Sequence, residues 1–211
     1  MGTKMDSISE SLREHYKKTF QKYGATAKGV DWGENEANLH LRYDKMLAVI
    51  EKGFVEKPSV LDVGCGYGGL LDYMIKKGIN LQYTGIDVEE NMVIWAQNAH
   101  PEATLIWGDI LEIRIDKQFD YVVCNGILTQ KLDVQGLVMD DYAGKLIRTM
   151  FALCSKGLAF NVMTTKVNFF SNNLYYRNPA ELLSWCLTEI MPHIKLDHAY
   201  HLYEYTVYLY R

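Results

Sequence analysis

The apolar and polar positions divide the chain into two unlike stretches. Residues 5–23 predict a polar amphipathic helix, with Leu12, His15, Tyr16, Thr19 and Phe20 spaced to share one face. Residues 24–33 form a glycine-bearing loop, and residues 38–52 predict a second helix closed by Gly53. From Ser59 the pattern changes. Short apolar runs at residues 60–63, 81–86, 105–107, 119–124 and 158–163 alternate with helical periods at residues 70–77, 89–98, 141–155 and 179–190. Such alternation specifies a parallel sheet with crossover helices. The last two runs, residues 194–200 and 204–210, are joined by a short turn and predict an antiparallel hairpin.

The whole chain, residues 1–211, is thus expected as a single domain, with a helical cap at residues 1–57 and a core at residues 58–211. A hydrophobic share of 48% with 23% charged residues suits a globular enzyme rather than a disordered or fibrous chain. The net charge of -4 offers no broad attraction for phosphate backbones, so nucleic acid is a disfavoured partner. No run approaches a membrane span, and residues 1–14 are too polar for a secretory signal, which predicts a cytoplasmic protein. Cys65, Cys124, Cys154 and Cys186 stand far apart in apolar settings, so free thiols are expected and no metal site. His198 and His201 would face opposite sides of a strand, which argues against a metal pair.

The chemistry concentrates where strands end. Asp62-Val63-Gly64-Cys65-Gly66-Tyr67-Gly68-Gly69 follows a strand and opens a helix, where glycines let a nucleotide-sized ligand approach the backbone. Gly64, Gly66 and Gly69 also satisfy the dinucleotide pattern G-x-G-x-x-G, so that spacing alone leaves NAD or flavin open. Asp62 favours a different ligand: a carboxylate there sits poorly beside a pyrophosphate and well beside a cation. Asp87 closes the next strand, where an acid can take both ribose hydroxyls. Asp109, with Ile110, closes the third.

These segments, with Gly85-Ile86-Asp87 and Gly108-Asp109-Ile110, resemble the first three motifs of class I S-adenosylmethionine-dependent methyltransferases. The resemblance runs from Ser59 to Arg211. It implies a Rossmann-like, seven-stranded, mostly parallel sheet with an antiparallel C-terminal strand, helices on both faces and an N-terminal helical cap. It further implies S-adenosyl-L-methionine as cofactor, with Asp62, Gly64, Cys65, Gly66, Tyr67 and Gly68 at its methionyl part. Asp87 and Val88 would then serve the ribose, Asp109 and Ile110 the adenine, and Met92 would contact the adenine from the following helix. Arg42 would pair with the methionyl carboxylate, or else stand as a surface arginine. Asn125 stands near the methyl donor, but Asn125-Gly126-Ile127-Leu128 lacks the Pro-Pro-aromatic sequence of enzymes that methylate nucleobase or glutamine nitrogens.

The acceptor side is less legible. Trp32, in a glycine-bounded segment, either lines the site or staples the cap. Tyr175 and Tyr176, in the polar-aromatic stretch 168–176, are candidates to cover an acceptor, while His15 and His201 are candidate bases. Together these residues predict methyl transfer to an oxygen or nitrogen of a small-molecule acceptor by a monomer or homodimer. A protein or RNA methyltransferase, or a non-catalytic binding partner, are the alternatives.

Overall fold

The computed structural model describes residues 6–51 and 57–211. Helices α1 (Asp6–Tyr23) and α2 (Glu36–Leu47) come first. They are followed by β1 (Ser59–Val63), α3 (Gly69–Lys77), β2 (Gln82–Asp87), α4 (Glu90–Ala99), β3 (Thr104–Trp107), β4 (Phe119–Cys124) and α5 (Gly136–Leu153). Then come β5 (Cys154–Thr164), β6 (Tyr176–Arg177), α6 (Pro179–Glu189), β7 (Ile194–Asp197) and β8 (Glu204–Tyr210). The sheet runs β3-β2-β1-β4-β5-β8-β7, with β6 attached to β5 off this path. All pairings are parallel except those of β8, which runs against both β5 and β7. The mostly parallel sheet and its reversed strand are therefore as expected, with the two-residue β6 added where only loop was predicted.

Strand β4 explains the layering. Its Val122 and Cys124 pack with α1, α5 and α6, whereas Tyr121 and Val123 pack with α2 and α3. Side chains alternate faces along a strand, so a run such as Tyr121-Val122-Val123-Cys124 must be covered on both sides. Helices cover both faces of the sheet, as the resemblance implies.

Element ends differ from expectation for identifiable reasons. Helix α2 starts earlier than residue 38 because the Asn35 side chain accepts from the N–H groups of Ala37 and Asn38. It ends at Leu47; Lys52 and Gly53, where its end was expected, lie outside the described residues. Helix α5 starts at Gly136 rather than 141, its first turn exposing Leu137 and so masking the apolar period. Strand β5 begins at Cys154 rather than 158, because backbone pairing to β4 and β8 extends into residues too polar to mark a strand. Strand β7 ends at Asp197, short of the predicted residue 200.

The cap is tied to the core by specific contacts. Ile8 and Leu12 of α1 are buried against the sheet, and Thr19 Oγ1 donates to the Gly29 carbonyl at 2.8 Å, holding the loop that follows. Lys45 of α2 pairs with Asp197 at 2.9 Å, and Tyr208 Oη donates to the Lys45 carbonyl at 2.9 Å. Helix α2 therefore lies on one face of the sheet, while Ser9, Leu12 and Tyr16 of α1 lie beside residues at the carboxyl ends of β1 and β2. Strand order reverses between β1 and β4, the place where an open α/β sheet leaves a crevice. Among the described residues no helix is long and apolar enough to cross a membrane.

Candidate active site

The turn after β1 is built to bring backbone close to that crevice. Gly64 takes a φ of +77°, and a Cβ there would lie 2.8 Å from the Ile127 side chain. Both Gly64 and Cys65 donate their N–H to the Ile86 carbonyl, at 2.8 and 3.1 Å. The turn is thereby pinned to β2. Register does the rest: Asp62 lies opposite Gly85 and Asp87 opposite Trp107, so three acids end adjacent strands on one edge. Asp87 accepts from the N–H of Gly66 at 2.8 Å and of Glu89 at 2.9 Å, while Asp62 accepts from Tyr83 Oη at 2.7 Å. Asp109 Oδ1 accepts from the Leu111 N–H at 2.8 Å.

These acids line a cleft of about 930 Å³, counted out to its open mouth. Its walls are the glycine turn, the ends of β2 and β3, Asn125 and Ile127 after β4, and Ser9, Leu12 and Tyr16 of α1. Among the described lining residues there are three carboxylic acids and no lysine, arginine or histidine. Burial raises the Asp62 carboxyl to about 7, with the Asp87 charge adding and the Tyr83 bond partly offsetting it. Burial likewise raises Asp87 to about 6, against the two backbone donors. Acids buried beside the glycine turn, with no basic side chain among the described lining residues, suit a positively charged group at that end of the cleft.

Beside the cleft, a ring of contacts joins the cap to the sheet. Arg42 of α2 stacks on Trp32 at 3.9 Å and donates to Glu204 Oε2 through Nε and Nη2, both at 2.9 Å. Glu204 Oε1 accepts from Asn161 Nδ2 at 3.1 Å, and the same nitrogen donates to Asn125 Oδ1 at 3.1 Å. Gly126 N–H donates to Asn161 Oδ1 at 2.8 Å, and a Cβ on Gly126 would lie 2.7 Å from the Trp32 ring. That close approach, at a φ of +107°, closes the ring.

Comparison with known proteins agrees with this geometry. The methyltransferase domain family matches residues 60–153. A protein of Mycobacterium tuberculosis named as a methyltransferase is 33% identical over 151 residues, covering 71% of this chain and 90% of that protein. This chain belongs to the class I S-adenosylmethionine-dependent methyltransferases. The ubiquinone biosynthesis O-methyltransferase of Rickettsia prowazekii is 25% identical over 142 residues, 64% of this chain and 55% of that enzyme. In fold, the methyltransferase resembles DhpI, solved with S-adenosylhomocysteine, at a TM-score of 0.61 and 18% identity, over 98% of this chain and 97% of that one.

The residues present fit S-adenosylmethionine, the methyl donor of this family. It carries an ammonium, a sulfonium and no phosphate, matching an acidic cleft with no basic lining side chain among the described residues.

The structure brings most of the anticipated residues of this methyltransferase together. Trp32, Asp62, Gly64, Cys65, Gly66, Tyr67, Asp87, Val88, Met92, Asp109, Ile110 and Asn125 all line the cleft. Gly68 does not; it caps α3 in a left-handed conformation beneath the turn. Arg42 requires correction. Three of its five N–H groups donate to Glu204 and the Asn38 carbonyl, its side chain is only 11% exposed, and it is not among the residues that line the cleft. Tyr175 is buried with its hydroxyl on Asp140 at 2.6 Å, and Tyr176 packs on Phe170, so neither covers the cleft. His201 binds Asn38 Oδ1 at 3.0 Å on the exposed side of the cap. His15 faces Asp31 at 3.0 Å and lies off the lining, next to Tyr16, which is on it.

Tyr43, Tyr83 and Tyr142, Glu204 and Asn161 went unrecognised. For Glu204 and Asn161 a signal existed: Asn161 interrupts the apolar run of β5 between Phe160 and Val162, Glu204 opens the largely apolar β8, and each is about 1% exposed. Buried polar groups of that kind have partners.

Proposed function

We propose that this methyltransferase acts on an oxygen or nitrogen of a small-molecule acceptor. The observation that carries this is the cap: α1 and Trp32 wall the cleft, and its described lining has no basic side chain to meet a nucleic acid. S-adenosylmethionine supplies an electrophilic methyl group on its sulfonium. Asp62, held by Tyr83, receives the methionyl ammonium; Asp87 receives the ribose hydroxyls; Asp109 and Ile110, with Met92 and Val88, receive the adenine. The hydroxyls of Tyr43 and Tyr67, which line the cleft, take the carboxylate in place of Arg42. Trp32, Tyr16 and Leu12 exclude water, and Asn125 faces the acceptor. Enclosure and positioning provide much of the rate enhancement, since the leaving thioether is neutral.

Calorimetry tests this reading directly. S-adenosylhomocysteine is expected to bind and NADH to give no heat. Binding of NADH with no response to S-adenosylhomocysteine would replace methyl transfer by a redox function.

A further inference from the structure

The polarity that Asn125 shows to the cleft is dictated by the hydrogen bonds behind it. The Gly126 N–H can only donate, and it donates to Asn161 Oδ1. That assigns the Asn161 amide, whose Nδ2 carries the two hydrogens directed at Glu204 Oε1 and Asn125 Oδ1. Glu204 agrees with the assignment, because a carboxylate held by Arg42 through its other oxygen has only acceptors to offer. With Oδ1 turned to Asn161, the remaining group of Asn125 is Nδ2, a pure donor. Asn125 lines the cleft, and its side-chain bond among the described residues is the one to Asn161.

We infer that the atom methylated is an anionic oxygen, a carboxylate or an ionised acidic hydroxyl, held by the Asn125 amide N–H. The inference rests on the proposed methyl transfer and narrows its acceptor. An oxygen anion has several lone pairs, so one can take the Asn125 hydrogen while another attacks. An amine has one lone pair, which must face the methyl group; its N–H groups and growing positive charge need acceptors, and a donor opposes both. In the reaction an oxygen lone pair forms the O–C bond as the C–S bond breaks and its electrons pass to sulfur. No proton is released, so no base is required. This agrees with a cleft whose described lining has no histidine and whose three carboxyl groups, Asp62, Asp87 and Asp109, each already accept a hydrogen bond. The ring from Arg42 through Glu204 and Asn161 makes the polarity a property of the fold, since turning Asn125 over would set two amide nitrogens against each other.

The test uses ¹⁵N-labelled full-length protein saturated with S-adenosylhomocysteine, which lacks the methyl group and leaves room beside the sulfur. Formate and methylammonium, the smallest oxygen-anion and amine probes, are titrated separately at equal concentration. The Asn125 side-chain NH₂ and the Gly126 N–H signals are followed. Formate is expected to shift them saturably and methylammonium to leave them in place. In Asn125→Asp an oxygen still accepts from Asn161 while an acceptor faces the cleft, so the preference is expected to reverse. A response to methylammonium in the native protein, equal responses, no response to formate, or an unreversed preference in a folded Asn125→Asp protein would each overturn the inference. If that variant does not fold, the native titration decides alone. Failure of the protein to take up S-adenosylhomocysteine would show beforehand and would count against the proposed function itself.

Discussion

The ends of β1, β2 and β3 and the ends of β4, β5 and β8 lie side by side along one edge of the sheet, yet they handle buried polarity in opposite ways. In the first group Asp62 and Asp87 are buried with hydrogen-bond donors but no cationic partner among the described residues, and burial holds both carboxyls well above their ordinary range. In the second, Arg42, Glu204, Asn161 and Asn125 satisfy one another in sequence, and Trp32 closes the circuit. The first arrangement holds electrostatic demand in reserve for a cationic ligand. The second meets its demand within the protein and is correspondingly rigid, which suits a group that must present one fixed donor to an acceptor.

Breaking the satisfied half should have the largest effect. Glu204→Ala leaves Arg42 buried without its counter-charge and is expected to lower unfolding free energy in urea by about 3–5 kcal/mol. The double replacement Arg42→Met with Glu204→Leu should recover most of that loss, because it removes both charges together. A loss in Glu204→Ala of less than about 1 kcal/mol would mean that the ring is not a structural unit.

The unsatisfied half should respond in binding more than in folding. Asp87→Ala is expected to weaken S-adenosylhomocysteine by about 1.5–3 kcal/mol, the value of hydrogen bonds to a charged group. An unchanged affinity in calorimetry would remove Asp87 from the ribose role.

Acidity sharpens the contrast further. In the free protein Asp62 takes up a proton as pH falls through about 7, whereas a bound ammonium favours its ionised form. Affinity for S-adenosylhomocysteine should therefore drop about tenfold from pH 8 to pH 6, with a proton released on binding at the lower pH. Asp62→Asn should abolish that dependence. Stability of the ligand-free protein carries the opposite sign. The raised folded-state value of Asp62 stabilises below the unfolded value near 4, and that contribution is lost as pH rises through about 7.

The smallest effect is expected at His15. Its pair with Asp31 is partly exposed, so His15→Gln should cost about 0–1 kcal/mol and leave the pH profile of methyl transfer unmoved. Loss of a profile limb in that variant would make His15 a base and would count against an anionic oxygen acceptor.

Legibility in the sequence follows the same division. Asp62 and the glycines lie within a few residues of one another, and Asp87 and Asp109 are placed by strand ends that apolar runs mark plainly. Arg42 was misassigned because its partner, Glu204, is 162 residues away, and no local pattern distinguishes that pair from a ligand contact. Tyr83 was passed over because its bond to Asp62 depends on how β1 and β2 come into register. Leu12 and Tyr16 share one face of α1 by their spacing, but nothing in that periodicity says which surface the face covers.

The sequence by itself determined the order and type of the elements other than the two-residue β6, the reversed final strand and the row of acids above a glycine turn, because these rest on short-range periodicity and backbone freedom. Tertiary structure alone decided that Arg42 serves Glu204, that Tyr175 and Tyr176 lie away from the cleft, and which end of the Asn125 amide the cleft sees. Those outcomes depend on donors and acceptors from widely separated segments meeting in space, where a buried polar atom must find whichever partner the packing brings.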